Sequence, residues 1–291
     1  MTNSLLTSEL KDTIQSSYRA WLDAREFRPR RGQREMIAHI ARTLTGDAPR
    51  IIAVEAGTGT GKTAAYCIAA IPIAQALGKT VVISTATVAL QEQVVLRDLP
   101  DLAVHADLKF THALAKGRGR YVCLKRLDDQ LKYSDQAEIP IFEEVSADGA
   151  VLFQAMLGEF ASKSWNGERD SWTEGLDEGL WRAVTTDHRG CSNNKCSFFR
   201  QCPFFRARGE LDGVDVIVAN HDLVLADLSL GGGAVLPEPE DCIYIIDEAH
   251  HLPEKTQQHF SVSTRIRGTS QWVDSVAGVL GSLTQRFGRP D

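Results

Sequence analysis

The run Ile51-Ile52-Ala53-Val54-Glu55-Ala56-Gly57-Thr58-Gly59-Thr60-Gly61-Lys62-Thr63 decides how the chain folds. Residues 51–54 read as a short buried strand, and residues 64–71 continue the run as a helix. Between them, glycines let backbone N–H groups turn inward around a phosphate, and the helix that follows points its positive end at the same place. Ala56, Gly57, Thr58, Gly59, Thr60, Gly61, Lys62 and Thr63 therefore form a candidate nucleotide-binding loop. Ala56 stands where the G-x-x-x-x-G-K-[ST] pattern has its first glycine, a small departure because alanine is the next smallest residue. Lys62 is placed to reach the β- and γ-phosphates of ATP, and the Thr63 hydroxyl to bind magnesium.

Working outward, the helix is interrupted at Pro72 and ends by Gly78, and Thr80-Val81-Val82-Ile83-Ser84-Thr85 follows as a second buried strand. Strand, loop, helix and strand is the rhythm of a parallel sheet. Ligands of such sheets gather beyond the carboxyl ends of the strands, which puts Ser84, Thr85, Thr87 and Gln91 at the working edge, as contacts or as strand-end and helix caps. Upstream, residues 3–22 pattern as an amphipathic helix, and a Pro-Gly turn at Pro29 and Gly32 precedes a helix opened by Gln33. The Gln33 amide could satisfy both edges of adenine, or it is an exposed helix glutamine.

Alternation resumes with residues 214–219, a strand ending in Asn220-His221, and with Cys242-Ile243-Tyr244-Ile245-Ile246, which ends in Asp247-Glu248-Ala249-His250. An aspartate at a strand end can hold the magnesium that Thr63 also touches, and the neighbouring carboxylate can deprotonate the attacking water. Asp247 is therefore the candidate metal ligand, Glu248 the general base and His250 a coupling residue. Beyond Lys255 the chain reads as helical and polar.

Residues 113–204 lack this alternation and read as an insertion. It carries Trp165, Trp172 and Trp181, taken as packing residues, and the set Cys123, Cys191, Cys196, Cys202 in the spacing C-x67-C-x4-C-x5-C. Four thiolates suit a tetrahedral zinc or an iron–sulfur cluster; the absence of tight C-x2-C pairs leans modestly toward the cluster. Cys67 and Cys242 read as ordinary buried small residues.

At 291 residues and a formal charge of −6, the chain is long enough for one large or two modest domains and is not a whole-surface binder of nucleic acid. A local basic groove is another matter, and Lys116, Arg118, Arg120, Lys125 and Arg126 make the best patch. No apolar run approaches the roughly 20 residues that cross a bilayer. With no export signal the cysteines do not read as a disulfide framework, and a cytoplasmic protein is expected.

The phosphate loop, the Asp-Glu-Ala-His box, the four cysteines between them and the stretch Val-Ile-Val-Ala-Asn-His-Asp-Leu-Val-Leu-Ala-Asp at 216–227 together resemble the XPD-like superfamily-two iron–sulfur DNA helicases. The match is dense from about residue 20 to 256 and includes Lys-Gly-Arg-Gly-Arg-Tyr-Val-Cys at 116–123. The resemblance implies an α/β, RecA-like P-loop NTPase domain (1–112 and 205–256) interrupted by a mainly helical cluster domain (113–204), with 257–291 beginning an arch domain. It implies ATP-driven 5′-to-3′ DNA unwinding in repair and replication, with Cys123, Cys191, Cys196 and Cys202 ligating a 4Fe-4S cluster.

By the same resemblance Gln33 belongs to an adenine-reading motif, Lys62 and Thr63 to motif I, Thr85 and Gln91 to a DNA-contacting motif, and Asp247, Glu248 and His250 to motif II. Single-stranded DNA and forked or RNA-paired DNA are the expected partners, with no membrane and a monomeric state. The chain is expected to be an amino-terminal portion without the second RecA-like domain. An arginine finger from that domain is worth about 10³ to 10⁵ in rate, so slow hydrolysis is expected of this portion alone. The alternatives are a non-enzymatic iron–sulfur module that binds single-stranded DNA or a partner, and a zinc-stabilised P-loop ATPase.

Overall fold

The computed structural model describes residues 5–46, 50–57, 59–134, 147–172, 176–261 and 266–288; Thr58 lies outside the described residues. In chain order the elements are α1 (Ser8–Ala24), α2 (Arg31–Thr45), α3 (Lys62–Leu77), β1 (Thr80–Thr85), α4 (Val88–Gln93), α5 (Leu99–His105), β2 (His112–Leu114), α6 (Leu124–Ser134), α7 (Ala147–Ser162) and α8 (Glu178–Val184). Then follow α9 (Pro203–Gly209), β3 (Val216–Asn220), α10 (His221–Ser229), β4 (Cys242–Ile246), α11 (Leu252–Phe260) and α12 (Ile266–Phe287). They fall into two compact units, Met1–Gly117 with Arg206–His259, and Arg118–Phe205 with Phe260–Asp291.

The first unit is built on a parallel sheet in the order β2-β3-β1-β4. The inner strands β1 and β3 are apolar and buried along nearly their whole length, as strands covered on both faces must be. Register pairs Thr85 with Asn220 and Ser84 with both Ala219 and Ile246, so three strands end at one edge. An added bond from Asp247 N to Ser84 O (2.8 Å) carries the ladder one residue past β4.

From Ala64 to Ala74 helix α3 is buried without a break on all sides, the pattern of a central rather than a surface helix. It starts and stops on glycine. Gly61 and Gly78 both adopt left-handed backbone, and Lys79 N donates to Ala74 O (2.8 Å) while Gly78 N donates to Gln75 O (3.2 Å), a Schellman closure. The expected break at Pro72 does not occur, because the helix runs through it. Proline removes one backbone donor, and the core packed around Ile68, Ile71 and Ile73 holds the rod together. Helix α1 is capped by Thr7, whose hydroxyl accepts from Leu10 N (3.2 Å), and turns Ile14, Tyr18, Trp21 and Leu22 into the same core.

The strand expected at 51–54 is not part of the sheet. No ladder is formed there, and Ile51 is 84% exposed with Ile52 and Val54 also exposed. A run of four apolar residues has β-propensity but becomes a strand only with a paired neighbour, and it acquires none among the described residues. Conversely, β2, at the start of the stretch read as an insertion, pairs with β3 through Ala113 and Ile217. Three residues are too short to show a period.

The second unit has its own core, in which Val122, Leu127, Phe153, Met156, Trp165, Trp172 and Trp181 pack together. The Trp165 indole donates to Glu168 O (2.8 Å) and that of Trp181 to Gly119 O (2.8 Å), which makes them packing residues with satisfied polar tips. Helix α12 is less polar than expected, with Trp272, Leu280 and Phe287 exposed. No helix among the described residues is long and apolar enough to cross a membrane.

Ile68, fully buried in α3, tests the core of the first unit. Ile68→Ala is expected to cost about 2–5 kcal/mol of unfolding free energy, read from the shift in denaturant midpoint; a loss under about 1 kcal/mol would mean that α3 is not the central helix.

Candidate functional site

The site begins where α3 leaves its loop. Gly61 is left-handed, and a Cβ on it would collide with the Gln33 amide nitrogen, so only glycine fits both the turn and the neighbour. Gln33 is not exposed: it is 5% accessible, its Oε1 accepts from Tyr18 OH (3.0 Å) and its Nε2 donates to Gly61 O (3.5 Å). It braces the loop from the side of α2. Arg30 Nη1 donates to Gly59 O, and Thr60 Oγ1 donates to Gly57 O (2.8 Å), so the loop is held by its own hydroxyl and by an arginine. Ala56 and Gly57 precede this turn in irregular backbone.

Lys62, the first residue of α3, reaches across 186 positions of sequence to Glu248, with Nζ 2.6 Å from Oε1. Lys62 pulls the Glu248 carboxyl below the usual glutamate range, against a smaller opposing effect of burial. Glu248 itself sits in left-handed backbone at φ 53°, unusual for a residue with a side chain. His250 Nδ1 lies 3.4 Å from Glu248 Oε2 on the exposed side.

Asp247 is joined to α3 through a residue absent from the sequence reading. Tyr66, one turn after Lys62, donates its hydroxyl to Asp247 Oδ2 (3.3 Å), and Thr63 acts on the same phenol, lowering its pKa where Asp247 raises it. Burial is the main cause that pushes this phenol well above the usual tyrosine range, and Asp247 adds to it. Burial raises the Asp98 carboxyl, with Gln93 and Thr63 among the groups that oppose it. The signal for Tyr66 was its spacing: i+3 from Thr63 and i+4 from Lys62 put it on their face of the helix.

At the neighbouring strand end the four polar candidates differ, and Ser84 is buried. Thr85 is buried and donates to Thr87 O (3.2 Å); Gln91 is buried and donates to Ala115 O (3.5 Å). Thr87 is exposed and caps α4 by accepting from Leu90 N (3.3 Å).

The second unit brings Cys123, Cys191, Cys196 and Cys202 to the wall of one pocket, with Tyr121, Phe198, Phe199, Phe204 and Phe205 around them. Arg118 belongs to this pocket. Its Nη1 donates to Cys191 Sγ (2.7 Å), its Nη2 to Asn193 Oδ1 (3.4 Å), and its guanidinium carbon lies 4.1 Å from the Phe204 ring centroid. Arg120 is paired with Asp170, Nε to Oδ2 at 3.2 Å. Burial raises the Cys202 thiol, while backbone bonds from Phe205 and Phe204 oppose it. Among the described residues no group of three or more His, Cys, Asp or Glu side chains is arranged to hold a metal ion.

Two family models match this chain: DEAD/DEAH box helicase over residues 30–132 and DEAD_2 over residues 190–268. The chain is 38% identical over 286 residues to the ATP-dependent DNA helicase DinG of Photobacterium profundum, covering 97% of this chain and 41% of that protein. It is 42% identical to the helicase of the same name from Salmonella typhimurium and 41% to that from Escherichia coli K12, each over 279 residues. The chain spans about two-fifths of the length of these curated relatives. It resembles DEAD/DEAH-box DNA helicases of the DinG type along almost all of its own length.

The Lys62–Glu248 pair has a titration signature. Lys62→Ala should let the Glu248 carboxyl return toward the usual range, read by side-chain carbon NMR; an unchanged titration would mean that the pair is not formed in solution. Because the folded chain lowers this carboxyl, the pair's stabilisation is present above the ordinary glutamate pKa and is lost as pH falls through the lowered value. The stability difference between wild type and Lys62→Ala should therefore shrink in acid.

Proposed function

We infer that the chain belongs with the DinG-type, XPD-like DNA helicases and acts as the nucleotide-binding part of an ATP-driven 5′-to-3′ DNA helicase of repair and replication. The observation that carries this reading is the meeting of Lys62, at the mouth of the glycine-rich loop, with Glu248 of the Asp-Glu-Ala-His box at 2.6 Å. Two motifs far apart in sequence share one site, and each has a task in phosphoryl transfer.

In this mechanism the loop from Ala56 to Thr63, Thr58 included, wraps the phosphates, and Gln33 braces it beside the adenine. Lys62 leaves Glu248 for the β- and γ-phosphate oxygens and neutralises charge there. Thr63 and Asp247 would hold magnesium, which would supply charge stabilisation at the phosphate oxygens when bound. Glu248, released from its cation, regains basicity and takes the proton of the attacking water as oxygen bonds to the γ-phosphorus and the bond to the β–γ bridging oxygen breaks. His250, beside Glu248, carries the state of this site toward bound DNA.

For the finer domain reading, residues 1–112 and 205–256 form the RecA-like domain, 113–204 the cluster domain and 257–291 the start of an arch. Support for a 4Fe-4S cluster comes from four thiols that line one pocket, an arginine that donates to one sulfur and aromatic rings beside them, although no three of these side chains are grouped as a metal site among the described residues. Cys123, Cys191, Cys196 and Cys202 would hold it, and it would supply structural cross-linking. Single-stranded DNA, and forked or RNA-paired structures, are the proposed partners of a monomeric, cytoplasmic protein. Thr87 offers an exposed hydroxyl to the strand, Thr85 and Gln91 shape the edge behind it, and Arg118 and Arg120 act through their field because both are already paired.

The test is ATP hydrolysis with and without single-stranded DNA, alongside iron and sulfide analysis of anaerobically purified chain. DNA-stimulated turnover abolished by Lys62→Ala, with about four irons and four sulfides per chain, is expected. Turnover indifferent to Lys62→Ala would overturn the nucleotide site, and one zinc without sulfide would overturn the cluster.

A further inference from the structure

Tyr66 is 3% exposed and lies among the apolar side chains of the first unit's core. A phenylalanine would fill that space as well, so packing does not account for the hydroxyl. A buried phenol O–H needs an acceptor, and the one it has is Asp247 Oδ2 at 3.3 Å. A phenol keeps its proton at neutral pH and an ionised carboxylate only accepts, which fixes the direction of the bond.

Asp247 is held at three points. Its N–H donates to Ser84 O (2.8 Å), its Oδ1 accepts from Glu248 N (3.0 Å) and its Oδ2 accepts from Tyr66. The first two bonds belong to β1 and to the turn after β4; the bond from Tyr66 is the one that ties the carboxylate to α3. An ionised carboxylate has about four acceptor positions, so one bond on each oxygen orients the group and leaves the rest for a cation or its water.

Tyr66 stands four residues after Lys62 and therefore on the same face of α3. One helix face thus reaches two consecutive residues of the acid box, Lys62 at Glu248 (2.6 Å) and Tyr66 at Asp247. The two links differ in what nucleotide does to them. Phosphate competes with Glu248 for the Lys62 ammonium, whereas the bond from Tyr66 to Asp247 can stay closed throughout.

We propose that Tyr66 is a positioning residue for the magnesium site, its hydroxyl holding the Asp247 carboxylate in the orientation that receives the cation while Lys62 moves to the phosphates. The proposal rests on the helicase reading above, which gives the metal to Asp247, and adds a buried residue that acts through that carboxylate alone.

Partners that orient a metal ligand are typically worth about 10–100-fold in metal affinity. Calorimetric binding of a non-hydrolysable ATP analogue to the full chain, repeated over a magnesium titration and in EDTA, reads this without turnover. In Tyr66→Phe the magnesium concentration that half-maximally tightens nucleotide binding is expected to rise about tenfold, with the affinity in EDTA within about twofold of wild type. Denaturant midpoints check folding, and if Tyr66→Phe does not fold, Tyr66→Met, which also fills the space without a hydroxyl, decides in its place. An unchanged magnesium requirement would overturn the role and leave the helicase reading standing. So would an affinity loss of equal size with and without magnesium, because the side chain would then act through α3 and the loop instead of Asp247. A wild-type chain that binds no nucleotide, or binds it with no response to magnesium, overturns the helicase reading and the role of Tyr66 with it.

Discussion

The parallel register of β1 against β3 and β4 is the constraint on which the first unit depends. It sets Ser84, Ala219 and Ile246 at one level, so whatever follows each strand emerges at the same edge. The turn after β4 presents Asp247 and Glu248, the turn after β3 presents His221, and the turn after β1 presents Thr87. Helix α3 packs behind this sheet with its amino terminus at that edge, which is how Lys62 comes to Glu248. A shift of β4 by one residue would turn its side chains to the opposite face and separate the pair. The buried apolar faces of β1 and β3 make such a slip costly, so the chemistry at the edge inherits its precision from packing in the sheet.

That dependence explains what could be read from residues alone. β1 and β4 were legible because an apolar run bounded by turn residues needs only a sheet to become a strand, and α3 was legible from its glycine boundaries. The run at 51–54 has the same composition, and its state turns on pairing, which composition does not encode. Pro72 looked like a break because propensity counts a lost donor and cannot count the core around it. Sequence left Gln33 open between an adenine reader and an exposed helix glutamine, and the exposed reading fails because its burial comes from Tyr18 and Gly61, residues outside its own helix. Tyr66 carried no motif, and its place appears only when distant segments meet.

The cysteine pocket makes the same point in the second unit. Cys123 stands 68 residues before Cys191, and no spacing rule places it beside the other three. Convergence is brought about by the core of Val122, Leu127 and Trp181: Cys123 N donates to Val184 O (2.7 Å), which fixes the start of α6 beside the end of α8. Arg118, one of the basic candidates, is turned onto Cys191 and the Phe204 ring instead of into solvent, so a charge count along the chain overstated the positive surface it offers.

The central claim is that Lys62 and Glu248 are two sides of one nucleotide site whose ion pair must open when phosphate arrives. Calorimetric binding of a non-hydrolysable ATP analogue with magnesium, compared between wild type and Glu248→Gln, tests this most directly. Removing the carboxylate's charge frees Lys62, so the account predicts tighter binding in Glu248→Gln than in wild type. Weaker or equal binding in that variant would contradict it, because the pair would then not compete with phosphate for Lys62.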